Sequence, residues 1–126
     1  MGFGSLLIYD LECCNGNIDD KDLLQSFINE LVIDIMKMKI IGDTQFAYFE
    51  PNDFNIKNDL VGFSITTIIS LSSITIHICE ISKRAYIDIF TCCSIDNDIE
   101  MKIKELIIKV FNPMDINKRI IERPIK

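Results

Sequence analysis

The sequence predicts an α+β fold, a two-layer sandwich in which two helices pack on one face of an antiparallel sheet. Three observations carry that expectation. Two segments repeat their apolar residues at helical spacing, so each has one broad face to bury. Five others are short β-forming runs, and the later ones alternate apolar with polar side chains at period two. The links between the middle runs are too short for a parallel crossover and so favour antiparallel neighbours. At 126 residues the chain is one domain, residues 1–126, large enough to bury a core without metal or disulfide staples.

Residues 4–11 are an apolar run with Leu6, Leu7, Ile8 and Tyr9, and read as the first strand. Asn15-Gly16-Asn17 is a turn signal, and Asp19 and Asp20 stand where a helix start favours negative charge. Over residues 21–39, Leu24, Phe27, Ile28, Leu31, Ile35 and Met38 recur at helical spacing, and Gly42 reads as the stop. Residues 44–49 suit a second strand. Residues 50–59 hold one proline, three asparagines and two aspartates and read as a loop. Three strands follow, over about residues 60–69, 73–79 and 85–91. In them Ile74, Ile76 and Ile78 alternate with Thr75 and His77, and Tyr86, Asp88 and Phe90 alternate with Ile87 and Ile89. A second helix starts near Asp96 and ends by Asn112-Pro113, with Ile99, Ile103, Leu106, Ile107 and Val110 on its apolar face. The acids around both helix starts are capping charge and not a metal site. The tail, residues 114–126, is charged, carries Pro124, and is expected to form one short strand or nothing.

Composition excludes several classes. A net charge of −6, with 13 basic against 19 acidic residues and no basic run, argues against nucleic-acid binding. No apolar stretch reaches the roughly 18 residues of a membrane span. Asp10 and Glu12 interrupt the N-terminus too early for a signal peptide, so a cytoplasmic protein is expected. Five cysteines then read as reduced thiols. Cys13-Cys14 and Cys92-Cys93 are adjacent pairs without metal-site spacing, and with a single histidine no metal is expected.

That histidine, His77, sits in an alternating strand pattern, five residues after Ser72 and fifteen before Cys92. Taken singly, each has an ordinary reading: a hydrogen-bonded strand histidine, a polar turn, a small buried hydrophobe. Their spacing, with Ser64 eight residues before Ser72, resembles the prokaryotic S-adenosylmethionine decarboxylase proenzyme family. Those pyruvoyl enzymes carry a Glu-Ser cleavage site, a histidine five residues after the serine, and an Asp-x-Phe-Thr-Cys segment. The counterparts are Leu71-Ser72, Ile74-Thr75-Ile76-His77 and Asp88-Ile89-Phe90-Thr91-Cys92, with no insertion between them. Leu6-Leu7-Ile8-Tyr9-Asp10 resembles the family's first strand, and Phe49-Glu50-Pro51 its Phe-x-Pro loop. The resemblance spans residues 4–113.

It implies a self-processing decarboxylase of polyamine and spermidine synthesis, acting on a small-molecule substrate. The Ser72 hydroxyl would attack the Leu71 carbonyl, which needs a strained bond and oxyanion donors. Loss of the Ser72 α-proton, with His77 as base and Ser64 assisting, would leave a pyruvoyl group generated from Ser72 itself. That cofactor would form a Schiff base with the substrate amine and act as electron sink, and Cys92 would reprotonate the product as general acid. Phe49 and Glu80 are the substrate-binding candidates. Fragments 1–71 and 72–126 would stay associated through the sheet. The family's sites lie close to a dimer interface, so a homodimer is implied.

Three departures stand out. Leu71 replaces the family's glutamate before the cleaved serine. Cys79-Glu80-Ile81 replaces Trp-Pro-Glu, so the ribose-binding glutamate aligns with Ile81, while Glu80 is one residue off and faces the other side of a strand. The loop over residues 50–59 is longer than the family's. They leave two alternatives: a pyruvoyl decarboxylase of another amino acid, and an uncleaved, non-catalytic homologue that pairs with itself or an active partner.

Overall fold

In the computed structural model, which describes residues 2–50 and 60–125, the elements follow in the order β1 (Gly2–Glu12), α1 (Lys21–Asn29), β2 (Ile40–Phe49), β3 (Gly62–Ile69), β4 (Ser72–Cys79), β5 (Arg84–Thr91), α2 (Asn97–Phe111) and β6 (Asp115–Ile125). The strands form one sheet in the order β2-β3-β4-β5-β1-β6, every neighbour antiparallel. This is the expected two-layer α+β arrangement.

Alternation decides which face is buried. Ile65 and Ile69, Ile74, Ile76 and Ile78, Ile87 and Ile89, and Leu7, Tyr9 and Leu11 point to the helices and are almost fully buried. Against them α1 sets Leu24, Phe27 and Ile28, and α2 sets Ile103, Leu106, Ile107 and Phe111. Each such side chain contributes about 1.5–3 kcal/mol on burial. Phe27 and Phe111 meet edge to face at 5.1 Å and join the helices to each other. The opposite face, which includes Ser64, Thr66, Thr75, His77 and Asp88, carries no helix among the described residues.

Both helices start on the expected acids. Asp20 caps α1 by accepting from the Asp22 and Leu23 N–H groups, and Asp96 caps α2 through Ile99 N–H at 2.8 Å. The end of the first helix differs from the expectation. After Asn29 it widens into a π-helical stretch, Glu30–Ile35, closed by Met36 N–H to Leu31 C=O, and Lys37 at φ +57° turns the chain away. Gly42 is not the stop. It lies inside β2 at φ +74°, where the register against β3 shifts between Ile41 and Gln45. The apolar spacing runs past the true end because Met38, in the link to β2, packs against the same core.

A second correction concerns the tail. Residues 115–125 form a full strand, β6, paired along the length of β1. Its Lys118, Arg119, Glu122, Arg123 and Pro124 disguised it, yet charge and proline are what a sheet edge uses against further pairing. Lys118 reaches Glu100 at 2.9 Å and Arg119 reaches Asp10 at 3.5 Å. The loop expected over residues 50–59 lies outside the described residues except for Glu50. Among the described residues no helix is long and apolar enough to cross a membrane.

Candidate active site

The β3–β4 hairpin turns in two residues, Ser70 and Leu71. Ser70 anchors the turn to the start of β2: its N–H donates to Lys39 C=O at 3.0 Å, and its hydroxyl accepts Lys39 N–H at 3.2 Å. Leu71 is left at the tip, 78% exposed and held at φ +53°. A non-glycine residue in that left-handed region costs about 1–2 kcal/mol. Four other residues share the conformation, so it is not peculiar to this tip, but here it adjoins the Leu71–Ser72 bond.

Ser72 opens β4 with its side chain toward the helices, in phase with Ile74, Ile76 and Ile78. Its hydroxyl donates to Thr91 Oγ1 at 3.1 Å in buried surroundings. Thr91 ends β5 directly across the ladder and also accepts Cys93 N–H at 3.1 Å. Cys92 follows at the same end of the sheet, half-buried, and no cysteine among the described residues is in a disulfide.

His77 lies elsewhere. It faces the open side of the sheet, where its Nδ1 is 3.0 Å from Ser64 Oγ across the β3–β4 ladder. If Nδ1–H donates to Ser64, Nε2 keeps its lone pair and the ring is a positioned base. Tyr86 and then Asp10 continue that row of the sheet. Five strand residues separate Ser72 from His77, roughly 17 Å, and they point to opposite faces. One chain therefore joins Ser72 to Thr91 and Ser64 to His77, but does not join Ser72 to His77.

The substrate-binding candidates also lie at the His77 end. Phe49 pairs with Gly62 there, in the row that includes Cys79. Glu80 follows β4 and accepts the Tyr48 hydroxyl at 3.0 Å, a bond that raises the phenol pKa. Pro51 is outside the described residues. Among those described, no group of three or more histidine, cysteine or acidic side chains is placed to hold a metal.

Two residues that hold site side chains had no role assigned in the sequence reading, although Thr91 stood inside the Asp-x-Phe-Thr-Cys segment. Tyr48 gave no signal. Thr91 did: it falls in the apolar phase of β5, after Ala85, Ile87 and Ile89, where a hydroxyl breaks the pattern. Chemically, the arrangement offers an exposed Leu71 in the left-handed conformation, directly before a hydroxyl held by a buried partner, and a separate hydroxyl–imidazole pair on the open face.

A family model described as S-adenosylmethionine decarboxylase matches residues 5–124. No curated protein matches the chain significantly. Among solved structures, the adenosylmethionine decarboxylase from Aquifex aeolicus superposes with a TM-score of 0.74 over 99% of this chain and 93% of that one, at 21% identity. At that identity the likeness is one of fold.

Proposed function

The chain belongs to the S-adenosylmethionine decarboxylase family, and from that premise we propose that it is a cytoplasmic, pyruvoyl-dependent decarboxylase of S-adenosylmethionine in polyamine and spermidine synthesis, made active by self-cleavage between Leu71 and Ser72. The observation that carries this reading is the hairpin tip, where an exposed Leu71 at φ +53° precedes a buried, hydrogen-bonded Ser72 hydroxyl.

The tip fits a group generated in place. Cleavage there interrupts a turn and no ladder, so fragment 1–71 keeps β1 to β3 and fragment 72–126 keeps β4 to β6. The β3–β4 and β1–β5 pairings hold the two together. Residue 72 would then stay at the head of β4 beside Thr91, at the end of the sheet where the half-buried Cys92 follows. When present, the pyruvoyl group supplies the electron sink for loss of carbon dioxide. Cys92, a free thiol at that end, is the proposed donor that returns a proton to the product carbon.

Proton removal from Ser72 asks for a base, and the single histidine of the chain is the side chain chemically suited to that task. His77 of the same chain is on the open face but roughly 17 Å along the strand. A homodimer resolves this: in a two-fold pair each copy gives its Ser72 end to one site and its Ser64–His77 pair to the other. Phe49 and Glu80, at the His77 end, would then meet the substrate at the partner's Ser72.

One observation favours a second reading, a pyruvoyl decarboxylase of another amino acid. The residue aligned with the family's ribose-binding glutamate is Ile81, exposed and apolar, and Glu80 is engaged by Tyr48.

Intact mass of the purified protein tests the proposal. Cleavage gives fragments of residues 1–71 and 72–126, the latter without a free amine. A protein that remains one chain of 14.5 kDa after long incubation is an uncleaved homologue, and the enzyme reading falls. Given cleavage, carbon dioxide released from carboxyl-labelled S-adenosylmethionine decides between the two substrates.

A further inference from the structure

We propose that Thr91 is a positioning residue for self-cleavage, holding the Ser72 hydroxyl for attack on the Leu71 carbonyl. The proposal rests on reading Leu71–Ser72 as the scissile bond. It starts from an anomaly on the helix-facing side of the sheet. Across β4, β5 and β1 the first three rows from the far end are Ile78-Ala85-Leu11, Ile76-Ile87-Tyr9 and Ile74-Ile89-Leu7. The fourth, at the hairpin tip, is Ser72-Thr91-Ser5, with 8%, 0% and 7% of their surfaces exposed. Hydroxyls at positions that pattern as core are unfavourable unless hydrogen-bonded, and valine or alanine would complete the face. A break in an otherwise consistent pattern is where a functional constraint is expected.

The geometry says what the row does. Thr91 is β-branched and stiff about χ1, and Cys93 N–H at 3.1 Å fixes its Oγ1 further through a local i to i+2 bond. That fixed oxygen accepts the Ser72 hydroxyl proton at 3.1 Å. Ser72 is thereby confined to one of its three staggered rotamers, with its oxygen lone pairs left for the adjoining carbonyl carbon. In the first step the Ser72 Oγ–C bond forms as the Leu71 C–N bond breaks, and the hydroxyl proton ends on the released Ser72 nitrogen. The ester next loses the Ser72 α-proton, and the Cβ–O bond breaks with its electron pair on the Leu71 carboxylate. Water then hydrolyses the remaining enamine, as its imine, and releases ammonia. Thr91 acts on the first of these steps alone, through the orientation of Ser72.

The test is a cleavage time course by intact mass, started by refolding full-length wild-type, Thr91→Val and Thr91→Ser chains from denaturant. Thr91→Val keeps the shape and removes the acceptor, and should slow cleavage by about tenfold or more. Thr91→Ser restores the oxygen and should cleave within about threefold of wild type, a rescue that loss of packing would not give. Thermal midpoints check that each variant is folded. Should the valine variant fail to fold, Thr91→Ala replaces it and must be slow where Thr91→Ser is not. Equal rates for valine (or alanine) and wild type, or a serine variant as slow as valine, overturn the proposal. A wild-type chain that never cleaves fails differently: it removes the scissile bond itself, and this proposal with it.

Discussion

Ser72 and Cys92 stand at one end of the sheet, and the proposed reading gives them separable tasks that single substitutions tell apart. Ser72→Ala removes the nucleophile, so the variant should remain one intact chain. Cys92→Ala leaves the nucleophile, Thr91 and the strained tip in place. It should still cleave, and its decarboxylation rate should drop by about a hundredfold or more as the proton donor is lost. Mass spectrometry and a carbon dioxide assay on the same preparations check both, and an equal block of cleavage in the two variants contradicts the division of roles. Spacing along the chain picked out Ser72, His77 and Cys92. The same spacing also held their separation, because five is an odd number and alternate strand residues face opposite ways. What it could not hold was Tyr48 on Glu80, which depends on how β2 lies against β3 and how the chain leaves β4.

The link from β1 to α1 is closely packed against the end of α2. Gly16 passes so close to the end of α2 that a Cβ would overlap the Val110 carbonyl oxygen, and its N–H donates to Phe111 C=O at 3.0 Å. Beside it Cys14 is fully buried, with its N–H on Lys83 C=O at 2.8 Å. Burial first, and the neighbouring Cys13 second, push the Cys14 thiol from 9.0 up to about 11. An acid whose folded pKa is raised holds its proton longer folded than unfolded. Its contribution is fully present below the unfolded pKa near 9 and is lost as pH rises toward about 11. Burial and Glu100 raise Tyr9 in the same direction. Denaturant melts should therefore show stability falling across pH 9–11, with a shallower fall in Cys14→Ala. Identical slopes would mean that Cys14 is not the titrating group. The strands and helices were legible because most pair a periodic face with a buried side. The exceptions are the π-helical end of α1, where hydrogen bonding changes without a change in apolar spacing, and β6, whose edge position calls for the charge that hid it.

At the scale of the whole molecule, the unhelixed face is where the chain looks incomplete without a second copy. The row nearest the hairpin tip runs Ile41, Ile68, Ser73, Phe90, Leu6 and Ile121 across all six strands. Ile41, Ile68 and Ile121 are each about half exposed, an apolar strip of the kind that marks an interface. Rows farther along carry Asp88, Arg119, Asp10, Arg84 and Glu12, charges of both signs with two internal ion pairs. Self-complementary pairing of this face is what a two-fold dimer requires, and it would offer a route from one copy's His77 to the other's Ser72. Complementation puts that to a test. His77→Ala alone should cleave slowly, and Ser72→Ala not at all. Co-expressed in equal amounts, they form mixed pairs in which an intact His77 from one chain serves the intact Ser72 of the other. About half of the His77→Ala chains should then cleave at the wild-type rate, since random pairing places half of them in mixed dimers. The Ser72→Ala chains should remain whole. If co-expression leaves the His77→Ala chains as slow as before while mixed pairs are present, the base acts within its own chain and the shared site is wrong.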